Sequence, residues 1–157
     1  LFHLLADRFC HDGIGNFLVG GALVAVAAAR LGIVWTPGII VYFVVMVLSG
    51  GVIFIALNLM TCVSAFWIMD SVPVTRVVFE MHEFAKYPLS IYPRAIGLLL
   101  TWAIPFGFAS YFPAARLMGL DAPAWQAYGA PVVAAVLLAI ALRVWRFGLR
   151  HYGSTGT

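Results

Sequence analysis

The sequence predicts an all-α fold, a polytopic integral membrane helical bundle of four transmembrane helices with amphipathic cytoplasmic segments. Three observations predict it. Hydrophobic residues make up 64% of the chain and charged residues 10%, against about 45–50% and about 25% in soluble domains. Mean hydropathy is +1.02, and 157 residues enclose too small an interior to hide that much apolar surface from water. The apolar residues also gather into four stretches to be weighed as crossings, since about 20 helical residues at about 1.5 Å each traverse a hydrocarbon core of about 30 Å.

The opening segment, residues 1–16, reads as a short amphipathic helix. His3, Asp7 and His11 recur at i, i+4 and i+8 with Arg8 and Asp12 beside them, while Phe2, Leu5, Phe9 and Cys10 cover much of the remainder. Such a helix either lies at the lipid interface or docks a cytoplasmic partner. The first span follows over about 14–35. The second, about 38–69, is longer than one crossing needs, so it tilts, projects or breaks near Ser49-Gly50-Gly51; one long helix is expected. Within it Asn58, Thr61, Cys62 and Ala65 share a face, with Ser64 nearby. An amide or hydroxyl facing lipid is costly, so Asn58, Thr61 and Ser64 are candidates for a translocation path or for contacts between helices. Gly21, Ala25 and Ala28 in the first span, and Gly50 and Gly51 in the second, read as sites of close helix packing.

Residues 70–93 form the next loop. Arg76 and Glu80 are spaced i, i+4 and Glu83 and Lys86 i, i+3, which supports an exposed helical face by a few tenths of a kcal/mol per pair, on the order of 0.2–0.5. Pro88 ends that helix, Tyr87 to Pro93 is extended, and Pro93 opens the third span, about 94–113. Pro105 is expected to kink that span. Pro113, Pro123 and Pro131 with Gly119 and Gly129 give 114–130 a broken path at the outer face. The fourth span covers about 130–147.

Lysine and arginine are retained on the cytoplasmic side of a membrane. With the N-terminus inside, four crossings leave Arg8, Arg76, Lys86, Arg94, Arg143, Arg146 and Arg150 in the cytoplasm and only Arg30 and Arg116 outside. Trp35, Trp67, Trp125 and Trp145 then fall near the interfaces that amphipathic rings prefer. Both ends of the chain are thus expected in the cytoplasm, and residues 1–157 form one transmembrane domain.

Other classes find little support. The formal charge of +3 comes from scattered residues, whereas nucleic acid requires a clustered basic patch. Cys10 and Cys62 match no redox or metal spacing. An intramembrane enzyme would draw on Asp70, Glu80, His82 and Glu83, but their spacing is no His-Glu-x-x-His and a solvated charged face is the better reading. An ATP-independent transporter or channel should carry charges deep within its spans, where this chain has amides, hydroxyls and glycines.

Several runs carry a family resemblance. Phe66-Trp67-Ile68-Met69-Asp70-Ser71, the stretch Phe79 to Pro93 with its Phe84-Ala85-Lys86-Tyr87-Pro88-Leu89-Ser90-Ile91-Tyr92-Pro93 core, Leu100 to Ala109, Tyr111 to Ala114, and the basic tail Trp145 to Tyr152 resemble the membrane subunits of ABC-2 type transporters. The resemblance covers most of the chain and rests chiefly on the Phe84 to Pro93 run. It implies the C-terminal part of a six-span permease, beginning at Leu1 in the cytoplasmic loop before the third span. It also implies that this loop holds the coupling helix, so that Phe2, Leu5, Asp7, Arg8 and Phe9 dock a separate ATPase subunit, and that a second permease subunit, identical or related, completes the path. Arg76, Glu80, Glu83, Lys86, Tyr87 and Pro88 belong to the other cytoplasmic loop. No Gly-x-x-x-x-Gly-Lys-Ser/Thr loop occurs, so no cofactor is expected on this chain and ATP is expected on the partner. The implied location is the inner or plasma membrane.

Overall fold

The computed structural model describes residues 2–63, 80, 84 and 87–151; the side chains of residues 2–13 and 151 lie outside that description. The chain divides into two units, Leu1–Trp35 and Thr36–Thr157. In the first, helix α1 runs Phe2–Leu31 without a break, so the amphipathic opening and the apolar stretch that follows share one helix. It stops because Gly32 takes a left-handed φ of 65°. There Gly32 N–H donates to the Ala29 carbonyl at 3.4 Å and Ile33 N–H to Ala28 at 3.0 Å, the paired bonds that satisfy the last carbonyls of a helix. Arg30 in the last turn meets the negative end of the helix dipole.

In the second unit, helix α2 spans Pro37–Val63. Thr36 caps it: its hydroxyl accepts from Ile39 N–H at 3.4 Å, its carbonyl accepts from Ile40 N–H at 3.0 Å, and Pro37 sits where no N–H is required. The helix passes through Ser49-Gly50-Gly51 unbroken. Its polar side chains bond backwards along their own helix, Ser49 Oγ to the Val45 carbonyl at 2.7 Å, Asn58 Nδ2 to Phe54 at 2.9 Å and Thr61 Oγ1 to Asn58 at 2.8 Å. This is the cheapest way to carry a hydroxyl or amide through an apolar medium. Met46, Ser49, Gly50, Ile53, Ala56, Leu57 and Thr61 are buried and recur at three- and four-residue intervals, giving α2 one inward face.

Helix α3 covers Arg94–Ala103 and helix α4 covers Gly107–Leu117, bent from one another by 82°. Sequence reading expects a kinked rod here; the structure has a corner. Pro105 has no N–H, so the carbonyls of Leu100 and Thr101 lose the donor that a next turn would supply. Its ring also pushes Ile104 out of the helical region, to φ −126° and ψ 86°. The last turn of α3 widens, with Ile104 N–H donating to Leu99 at 2.9 Å, and Phe106 N–H turns back to Ile104 at 2.6 Å. Helix α4 ends at Gly119, φ 69°, with Leu120 N–H on the Ala115 carbonyl at 2.9 Å and Gly119 N–H on Arg116 at 3.2 Å, as α1 ends at Gly32. The short helix α5, Ala124–Tyr128, follows Pro123, and α6 runs Ala130–His151.

The core gathers Met46, Ile53 and Leu57 of α2, Leu100 of α3, Phe106 at the corner, Phe108 and Phe112 of α4, and Ala130 and Ala134 of α6. Small residues admit α6 closely to its neighbours, Ala130, Ala134 and Ala141 being 0%, 4% and 0% exposed. Tyr42, early in α2, donates its hydroxyl to the Ala127 carbonyl at 2.9 Å and sets its ring edge-on to Tyr128 at 5.2 Å. Both partners lie just ahead of α6. The two helices therefore start side by side, and because they remain packed along their length they run parallel. Tyr42→Phe is expected to remove about 1 kcal/mol, seen as a melting point lowered by ~2–4 °C in detergent.

Two helices, Pro37–Val63 and Ala130–Arg150, are long and apolar enough to cross a membrane, and the bent pair α3 and α4 makes a third if it counts as one crossing. The first expected span is represented by the shorter apolar stretch Ile14–Arg30 within α1. The count of four read from the sequence is thus two or three by length and composition among the described residues. The difference arises at Gly32, which cuts the first stretch short, and at Pro105, which divides the third.

Candidate functional site

The corner between α3 and α4 opens a cleft of about 480 Å³ against α6. Trp102 and Trp125 stack with centroids 5.9 Å apart and planes at 29°. Phe108, 3% exposed, sits edge-on to Trp102 at 6.5 Å and tilted to Trp125 at 6.1 Å, and it also meets Phe112 at 5.2 Å. These contacts need Gly129, where a Cβ would fall 2.7 Å from the Trp125 carbonyl and 3.0 Å from the Phe108 ring. Val132, Val133, Val136 and Leu137 form the α6 wall. The polar side chain on the lining is Thr101, whose hydroxyl donates to the Gly97 carbonyl at 2.7 Å. No ionisable side chain lines the cleft, so it can hold apolar or aromatic surface, and it has no group for acid, base or nucleophilic chemistry.

On the other side of the corner, Gly50 of α2 meets α4. A Cβ there would lie 2.8 Å from the Ala109 carbonyl oxygen, and Phe54 stacks on Phe106 at 5.2 Å. Of the adjacent glycines read as packing sites, Gly50 makes this contact and Gly51 faces open space. A second cleft, about 380 Å³, is bordered by Tyr87, Pro88 and Ser90 together with Ser110, Tyr111, Ala114, Met118 and Leu120. Sequence reading assigns 70–93 and 114–130 to opposite faces of the membrane, yet both border this cleft. The reason is the corner: two arms of about 15 Å at 82° reach only about 24 Å end to end, where a straight helix would reach about 36 Å.

The other sequence-derived residues fall as follows. Phe2, Leu5, Asp7, Arg8 and Phe9 occupy the first turns of α1, their side chains outside the described residues. Arg76, Glu83, Lys86 and Ser64 lie outside the described residues altogether, as do Asp70 and His82; Glu80, Tyr87 and Pro88 are exposed. Asn58 is exposed and Thr61 buried, so neighbours on one helix face divide between the outer surface and the core. The aromatic cleft went unread in the sequence. Its signal was Trp125 four residues before Gly129 and Trp102 three before Pro105, a ring beside a missing side chain and a ring beside a helix break.

Two bilayer-length apolar helices, a membrane-type corner and a cleft without catalytic groups describe a membrane transport component. No curated protein and no solved structure matches the chain. Residues 1–156 match the family described as ABC-2 family transporter protein. With the match running over nearly its whole length, the chain belongs to the ABC-2 family of transporter proteins, as the resemblance at Phe84 to Pro93 implies.

Proposed function

We propose that the chain is a membrane-spanning permease subunit of an ABC-2 type exporter, which forms the translocation path with a second permease subunit and draws its energy from ATP hydrolysed on a separate ATPase subunit. The observation that carries this reading is the family match over residues 1–156. The absence of a phosphate-cradling loop from the sequence supports assigning ATP to the partner. Residues 1–157 then act as one transmembrane domain in the inner or plasma membrane, with both ends in the cytoplasm.

The four-crossing topology is part of the proposal, and the parallel run of α2 and α6 supports it. If both helices cross the bilayer in the same direction, the chain between them must return across it an odd number of times. Among the described residues α3 and α4 are the apolar helices available for that return. They form a broken crossing of about 24 Å, lengthened by the extended backbone at Tyr92 and Pro93. A discontinuous membrane helix is tolerated where its freed carbonyls are buried in protein or line a cavity, and this corner borders the 480 Å³ cleft. Asn58, Thr61 and Ser64 are proposed for the path, and Arg76, Glu80, Glu83, Lys86, Tyr87 and Pro88 for the cytoplasmic loop.

Phe2, Leu5, Asp7, Arg8 and Phe9 are proposed to dock the ATPase subunit, since an amphipathic segment joined in one helix to the apolar part of α1 can pass a push at its end into the membrane. Asp7→Ala combined with Arg8→Ala in the complete permease is expected to leave membrane insertion intact and to abolish substrate stimulation of ATPase activity. The check is ATPase rate against substrate concentration in proteoliposomes; undiminished stimulation in the double variant counts against the docking role.

A further inference from the structure

The inward face of α2 is taken by α4 and α6, and the rest of the second unit packs on that side. Its outward face reads Val41, Val44, Leu48, Gly51, Ile55, Asn58 and Cys62, alternating three- and four-residue steps, and every one of these residues is exposed. From Val44 to Cys62 the stripe covers about five turns and about 27 Å, close to the hydrocarbon thickness of about 30 Å. It is therefore straight and crosses the bilayer from edge to edge.

A stripe meant only for lipid has no use for an amide. Asn58 places one there, and its bond to the Phe54 carbonyl employs a single N–H, leaving the second N–H and the Oδ1 acceptor to face hydrocarbon, where polar groups are costly. Two turns away Gly51 offers a flat spot, with nothing within 4 Å of where its Cβ would be, so another backbone can approach closely. Three-and-four spacing is the seam of paired helices, and one asparagine in such a seam fixes register.

We propose that this stripe is the contact between two copies of the chain, related by a two-fold axis along the membrane normal. The inference rests on the permease reading and names its second subunit as an identical copy. Self-complementarity identifies the occupant. Copies inserted in one membrane share one orientation, so a two-fold pair places α2 parallel to its counterpart and each seam residue against the same residue. An amide is donor and acceptor at once, so Asn58 satisfies its counterpart by exchanging N–H to Oδ1 bonds, while Gly51 meets Gly51 and Cys62 meets Cys62.

The experiment oxidises native membranes carrying the full chain with copper phenanthroline. With Cys10→Ser, Cys62 is the remaining one of two cysteines, and it is exposed. A covalent dimer is expected, absent when Cys62 is also replaced by serine. In the cysteine-free background Ile55→Cys is expected to cross-link and Val45→Cys, about 100° around the helix, is not. Asn58→Leu should cut the Cys62 cross-link at least tenfold with unchanged membrane insertion, and Asn58→Gln should restore much of it. If two differently tagged copies co-purify yet neither Cys62 nor Ile55→Cys cross-links, the seam is wrong and the permease reading stands. If tagged copies never co-purify while ATP-driven transport persists, the identical occupant is wrong. Loss of ATP dependence in transport would instead strike the permease reading itself.

Discussion

Gly50→Ala is expected to destabilise the protein by about 2 kcal/mol, although alanine is the better helix former. The two effects oppose each other and their sizes decide the sign. Alanine in place of glycine inside a helix gains about 1 kcal/mol. Against that, the new methyl would lie 2.8 Å from the Ala109 carbonyl oxygen. Overpacking costs about 1–3 kcal/mol where side chains can move aside; here the obstacle is the backbone of α4, so the upper end applies. The net loss corresponds to a melting point lowered by ~4–8 °C in detergent. Gly38→Ala supplies the control, since Gly38 lies on the same helix with nothing within 4 Å. It should leave the melting point unchanged or raise it, and equal behaviour of the two variants would remove the α2 to α4 crossing from the fold.

Phe106→Ala should produce the largest loss of any single truncation considered, about 3–5 kcal/mol. Phe106 is 2% exposed and stacks on Phe54 at 5.2 Å, at the corner where Pro105 interrupts the backbone hydrogen bonds. Neither arm of the corner is long enough to hold itself in place by helical bonds alone, so the ring that fills the gap does much of the holding. Removing it leaves a void that lipid cannot reach and lets α3 and α4 change their angle. Leu149→Ala, which deletes a large apolar side chain that is half exposed at 51%, should shift the melting point little. Thermal unfolding of both variants in one detergent makes the comparison.

Much of this fold is legible in the sequence because lipid imposes a simple rule: backbone polar groups must be satisfied within the segment, so apolar runs become helices. That rule finds α2 and α6. It also finds Gly50 as a contact, since a glycine inside a membrane helix implies close approach. What it leaves open is how a run ends and turns. Gly32 lies within an apolar stretch that hydropathy extends to Trp35, yet its left-handed φ closes α1 at Leu31. Pro105 was readable as a kink, but the size of the bend depends on Ile104 leaving the helical region and on the Phe54 to Phe106 contact, neither of which is local in sequence. The site divides in the same way. Asn58 stands out in sequence as an amide among apolar residues, while its outward direction follows from which face α4 and α6 cover. Trp102 and Trp125 read one at a time as a span residue and an interfacial ring, and only the corner brings them to 5.9 Å.

The topology rests on α3 and α4 carrying the chain across the bilayer despite the 82° bend, and single-cysteine labelling of intact cells tests this most directly. In a cysteine-free background, Asp121→Cys and Lys86→Cys are exposed in turn to a maleimide that cannot cross membranes. Four crossings require Asp121→Cys to react from outside and Lys86→Cys to react only after lysis. Reaction of both from the same side would make the corner a re-entrant loop and would contradict the parallel crossing of α2 and α6.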